Sequence, residues 1–159
     1  MLRDAGIAAD ASDHISEMEW SKYTMFVPLF CGSLITRLET HRFLAHPDSA
    51  RVIAALSREM AELAMAEGVQ LRPGPGLSAA ALSNTDFESA VCMVRDVGEQ
   101  FRQKSPNHKV SGLQDLERGR PTEVEEITGF AWRRSVELGL ALTTLRTCHA
   151  LCRAIAPPN

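Results

Sequence analysis

Apolar residues return every third or fourth position in one stretch of this chain after another, and nowhere do they alternate as the two faces of a strand require. Leu56, Met60, Leu63 and Glu67 keep the helical step. Val52 and Ile53 join the same face, Pro47-Asp48-Ser49 supplies a start and Gly68 a stop. Phe87, Val91, Val94 and Phe101 mark a second helix between the capping candidates Asn84-Thr85-Asp86 and the breaker Ser105-Pro106-Asn107. Pro121 and Thr122 open a third, which draws its buried face from Val124, Ile127, Phe130, Ala131 and Leu138 and ends at Gly139. Leu145, Cys148, Leu151, Cys152 and Ile155 make a last helix before Pro157-Pro158, and Leu71 to Ser78 reads as a loop. The apolar segment from Glu17 to Leu38 predicts a long central helix, although Pro28 removes a hydrogen bond within it. The pattern predicts an all-α, multi-helix domain.

A length of 159 residues suits one domain, 1–159, in which residues 1–16 form a lead-in. The net charge of −3 argues against a nucleic-acid partner, because phosphate-backbone binding needs a concentrated cationic face. No apolar run reaches the roughly 20 residues of a membrane span. Asp4, Asp10 and Asp13 stand where a signal peptide would carry its apolar core, so a cytoplasmic location is expected and no membrane partner. Cys31, Cys92, Cys148 and Cys152 lack the spacing of a secreted framework and read as reduced, buried small residues.

Candidate chemistry concentrates between Ser111 and Gly129. A serine, Asp115 four residues on, and Glu123 stand beside an Arg-Pro-Thr turn that opens a helix, where free backbone N–H groups favour anionic ligands. Together with Trp20-Ser21-Lys22, the segments Ser111-Gly112-Leu113-Gln114-Asp115 and Gly119-Arg120-Pro121-Thr122-Glu123-Val124-Glu125-Glu126-Ile127-Thr128-Gly129 resemble the C-terminal domain of the ketopantoate reductases (2-dehydropantoate 2-reductases). That family shows Trp-x-Lys early in the domain, then Ser-Met-x-x-Asp, then Gly-Arg-x-Thr-Glu-Ile-(Asp)-x-Ile-Asn-Gly. The resemblance covers almost the whole chain, including the lead-in from Leu2 to Ile7.

The resemblance implies the helical fold of the 6-phosphogluconate-dehydrogenase-like C-terminal domains and NADP-dependent reduction of a 2-keto acid, ketopantoate to pantoate in pantothenate biosynthesis. It makes Lys22 the group that meets the charge growing on the carbonyl oxygen. Glu123 binds substrate and helps to place the lysine, and Ser111, with Asp115 one turn beyond, contacts substrate oxygen. Without the resemblance each has a plainer reading: Lys22 as a snorkelling surface lysine, Ser111 as a cap, Glu123 as a partner of the helix dipole, the last holding for Glu125 and Glu126 as well. This chain departs from the family where asparagines four and eight residues after the lysine are Phe26 and Phe30, the Asn of Ile-Asn-Gly is Thr128, and the Met after the serine is Gly112. The two rings are expected to wall the cleft and make it tolerant of apolar acids.

Nothing in these residues supplies the Gly-x-Gly-x-x-Gly turn that holds a dinucleotide, and Gly74-Pro75-Gly76 reads as a rigid loop. No cofactor site is therefore expected in this chain; the NADP of the complete family enzyme belongs to a Rossmann domain encoded upstream or separately. Cys148-His149-x-x-Cys152 lacks the further ligands of a zinc site, and His14, His41, His46 and His108 form no ligand pattern. His108 is either an exposed loop residue or part of the site lining. The expected function is the substrate-binding and dimerisation half of such an oxidoreductase, inactive alone and a homodimer. The alternative is a stand-alone helical module for oligomerisation or small-acid binding.

Overall fold

The computed structural model describes Gly6 and residues 13–156, and within them every regular element is helical. The expected Leu2–Ile7 lead-in and Pro157-Pro158 lie outside the described residues, Gly6 apart. The helices are α1 (Ile15–Thr36), α2 (Thr40–Ala45), α3 (Pro47–Ala66), α4 (Ala79–Ser83), α5 (Phe87–Lys104), α6 (Ser111–Glu117), α7 (Phe130–Glu137) and α8 (Thr143–Ile155), with a π-helical turn over Glu125–Gly129 leading into α7.

Helix α1 is the axis. Every residue from Val27 to Leu34 is buried, so the helix has no solvent face there and must be packed all round. Helices α2, α3, α4, α6 and α8 and the π turn all contact it. Pro28 lies inside this buried stretch and the helix continues through it. A proline in a helix interior costs about 3 kcal/mol, but enclosure of the neighbouring Val27, Leu29, Phe30 and Leu34 outweighs that loss. Close approach is set at Gly32: a Cβ there would come within 2.7 Å of the Phe43 ring and 2.9 Å of Ile53, so α2 and α3 seat directly against the backbone of α1.

Side chains complete the helix starts, two of them locally and one from a distant helix. Asp86 accepts the Ser89 N–H at the start of α5, and His46 Nδ1 accepts the Asp48 N–H at the start of α3. The start of α8 takes its acceptor from α3, where Glu59 receives the Thr144 and Leu145 N–H groups at 2.8 and 2.7 Å, one on each oxygen.

The long helices start and stop close to where the sequence places them, including α3 before Gly68 and α5 after Asp86. Four readings need correction. The third helix starts at Val124, not at Pro121 and Thr122, and begins with a π turn. Of its expected buried face, Val124 and Ala131 are enclosed but Phe130 and Leu138 are exposed, because the π turn rotates the positions that follow it. Leu151 is also exposed, on the outer side of α8. Cys92 is exposed, because it falls outside the Val91, Val94 and Gly98 stripe of α5; the other three cysteines are buried.

Glu59→Ala removes two charge-assisted bonds at the start of α8. It is expected to lower the unfolding free energy by about 1–2 kcal/mol, read as a lower urea midpoint at unchanged slope.

Candidate functional site around Lys22

Lys22 sits in the first half of α1 with an exposed side chain, and no hydrogen bond or ion pair holds it among the described residues. It lines a cleft of about 230 Å³ between α1 and the loop that runs from α3 to α4, with Ser21, Thr24 and Met25 from the helix and Leu71 to Ala80 opposite. The loop is tied to the helix by an ion pair, Arg72 Nε to Glu17 Oε2 at 2.6 Å.

Glu123 does not line this cleft. Its side chain is exposed just before Val124, and its carbonyl accepts the Ile127 N–H at 3.0 Å. The segment that carries it is nevertheless fastened to α1 beside Lys22. The Tyr23 hydroxyl donates to the Ile127 carbonyl at 2.6 Å, where an unbroken α-helix would place the Ala131 N–H. Burial pushes the phenol above its ordinary pKa, and the Ala131 N–H facing its oxygen opposes the shift. A side chain set into the hydrogen-bond ladder is a physical cause of a π turn. Tyr23 packs edge-on against Trp20 and Phe130, each 5.7 Å away between ring centres. Nothing in residue spacing marked Tyr23 as this wedge; the aromatic pair at 20 and 23 was the available signal.

Ser111 is the first residue of α6 and exposed; Asp115 is half-buried on the same helix, with Arg120 at 3.7 Å. Neither lines the Lys22 cleft. Of the residues that depart from the family, Phe26 and Phe30 lie on α1 and Gly112 on α6. Phe30 is wholly buried, so it fills the core and does not wall an open cleft; Phe26 is half-buried, 5.9 Å from it between ring centres. Gly112 lies directly over Phe30, and a Cβ there would come within 2.3 Å of the ring. The larger residue on α1 and the smaller one on α6 are thus a matched exchange of volume.

Thr128 points inward. It is buried, gives its one proton to the Val124 carbonyl at 2.9 Å, and sits 2.8 Å from His149 Nδ1, which must therefore be the donor in that second bond. Burial pushes His149 below the ordinary histidine pKa; Glu125 opposes this, while Arg153 and Arg133 add to it. His149 thus belongs to the seam between α8 and the π turn. Glu125 strengthens that seam, 2.9 Å from Arg153 and 3.4 Å from Arg133, a more specific task than the dipole alone. The His108 ring bonds to Thr40 Oγ1 at 2.8 Å and packs on Phe101, which gives it a place in the α5–α6 loop.

Residues 14–156 match the family model described as the ketopantoate reductase PanE/ApbA C terminal. A 2-dehydropantoate 2-reductase of Archaeoglobus fulgidus is 28% identical over 155 residues, 98% of this chain and 46% of that protein. The crystal structure of a PanE/ApbA family ketopantoate reductase from Ralstonia eutropha superposes with a TM-score of 0.73 at 26% identity, over 96% of this chain and 45% of that one. A ketopantoate reductase from Staphylococcus aureus described as dimeric shares the fold, with a TM-score of 0.72 at 20% identity over 97% of this chain and 47% of that one. The chain spans about half the length of these relatives.

Two outcomes follow from this packing. Gly112→Ala is expected to cost about 1–3 kcal/mol by overpacking Phe30, and less in a Phe30→Leu background; a double-mutant cycle in urea measures the coupling. Because the folded-state pKa of His149 lies below its unfolded value of about 6.5, its contribution is complete above that pH. It is lost as pH falls through the folded-state pKa. Urea midpoints should therefore drop on acidification below about pH 6.5, and His149→Gln should flatten that part of the profile.

Proposed function

We propose, from the premise that this chain belongs to the family of ketopantoate reductase C-terminal domains, that it is the substrate-binding and dimerisation half of an NADP-dependent oxidoreductase acting on a 2-keto acid. The observation that carries the reading is Lys22: an exposed ammonium on a buried helix, beside a cleft, with no ion-pair partner among the described residues. An ammonium in that place can donate to a carbonyl oxygen as negative charge grows on it. Glu123 is held two residues before the π turn that Tyr23 fastens to α1. With Ser111 and Asp115 on α6 it is proposed as a substrate contact of the complete site, outside the cleft that Lys22 lines with the α3–α4 loop.

The described residues do not suit a dinucleotide. No strand feeds the Gly74-Pro75-Gly76 loop, and its cleft is below the roughly 300–1,000 Å³ of pockets that take larger ligands. On this reading the hydride donor sits on a Rossmann domain outside these residues, which would not turn over by themselves. A homodimer is part of the same reading, as the Staphylococcus aureus relative is dimeric. No helix among the described residues is long and apolar enough to cross a membrane, and a cytoplasmic location fits the reading. The enclosed Phe30 and the Gly112 of α6 that lies over it favour a second reading, a non-catalytic small-acid-binding or oligomerisation module.

The test is NADPH oxidation with a 2-keto acid, by the chain alone and joined to the Rossmann domain of the Archaeoglobus relative. The chain alone should be silent and sediment as a dimer. The joined protein should show keto-acid-dependent oxidation that Lys22→Ala lowers by about 10²–10⁴. Keto-acid binding to the chain that is identical with and without Lys22 would overturn the assignment; binding without turnover in the joined protein would favour the second reading.

A further inference from the structure

A second recess opens where α1 meets the start of α7. It holds about 190 Å³ and is lined by Glu19, Trp20, Tyr23 and Phe130, none of which lines the cleft beside Lys22. Trp20 and Phe130 each stand nearly at right angles to Tyr23, at 82° and 73° with ring centres 5.7 Å away, so three rings bound the recess on different sides. The Tyr23 hydroxyl is anchored on the Ile127 carbonyl at 2.6 Å, which fixes the middle ring. An aromatic ring is negative over its face, and Glu19 adds an exposed carboxylate with no ion-pair or hydrogen-bond partner among the described residues. Elsewhere ring faces already carry a cation: Arg51 lies over Phe87 at 5.2 Å and Arg146 over Trp132 at 5.7 Å. Among the described residues no arginine or lysine lies over Trp20, Tyr23 or Phe130. Arg133, whose charge reaches the Tyr23 hydroxyl, is tied to Glu125 at 3.4 Å.

We propose that this recess binds a small quaternary ammonium compound, with its methylated head among the three rings and its charge facing Glu19. A cation over aromatic faces is attracted by their quadrupoles, and the attraction grows as the cation gives up its water. A quaternary head is weakly hydrated and gives up little. A primary ammonium would instead bring three N–H donors, against one carboxylate on the rim and a Tyr23 hydroxyl already engaged with Ile127. The volume of about 190 Å³ suits a head group with a short arm and is too small for a larger ligand. The site shares no lining residue with the Lys22 cleft, so it stands whether or not the keto-acid reading does.

The test is titration of the chain with choline and with 3,3-dimethylbutan-1-ol, its uncharged isostere, at constant ionic strength. Trp132→Phe leaves Trp20 as the single indole, whose N–H resonance reports occupancy. Choline should bind at least about fivefold more tightly than the alcohol. Glu19→Gln, at an exposed position, should weaken choline at least about twofold and leave the alcohol unchanged. Phe130→Leu keeps an apolar side chain but removes a ring face, and should weaken choline at least about threefold; the thermal midpoint of each variant shows that it is folded. Absence of choline binding, equal affinity for choline and the alcohol, or choline binding indifferent to both substitutions would overturn the proposal. So would an affinity that falls as the chain concentration rises, because a second copy would then be the occupant of the recess.

Discussion

Enclosure of α1 from Val27 to Leu34 is the constraint on which the rest of the molecule depends. A helix with no solvent face can be stable only if other elements cover every side of it, and its length then decides where each can sit. The α2–α3 corner is drawn in at Gly32 because any side chain there would meet Phe43 and Ile53. Helix α8 covers another side, with Cys148 and Cys152 buried in the core that Cys31 joins from α1. Only the first turns of α1, before Val27, retain exposed positions, and Lys22 is one of them. The same rod thus supplies the rigidity of the core and an accessible cation at its open end.

The segment after α6 is fixed to that rod by a polar contact. Tyr23 Oη on the Ile127 carbonyl diverts one bond of the helix ladder, and the resulting π turn sets the facing of everything that follows it. Phe130 is turned outward against Tyr23, Thr128 inward against His149, and Glu125 sideways to Arg153. Glu123 precedes the turn and inherits its position from this seam. Because Tyr23 is the neighbour of Lys22, one helical turn of α1 places both the candidate acid and the segment of its candidate partner.

The exchanges at Phe30 and Gly112 show why a substitution pattern has to be taken as a whole. Taken singly, a ring where the family has an amide suggests a changed ligand wall, and a glycine where it has a methionine suggests a flexible helix start. Together they occupy one volume, with the ring filling what the glycine vacates. Phe30 is enclosed where α1 meets α6, whereas the open cleft beside Lys22 lies on the side of the α3–α4 loop.

What was legible in the residues alone is the helical class, the long helices and their ends, and the family. Apolar spacing, Asp86, Pro47 and Gly68 act locally, and a motif such as Trp20-Ser21-Lys22 needs no neighbours to be read. The short helices α2 and α4 escaped notice because six and five residues carry less than two turns of pattern. Tertiary structure alone decided that Pro28 could stay inside a helix, that Glu59 would cap α8 from 85 residues away, that Tyr23 would open a π turn, and that Phe30 would be core. Each of these depends on partners distant in the chain, whose burial or hydrogen bonding outweighs the local preference. Lys22 was identifiable as a residue, but what lies across from it was decided by packing of the α3–α4 loop onto α1.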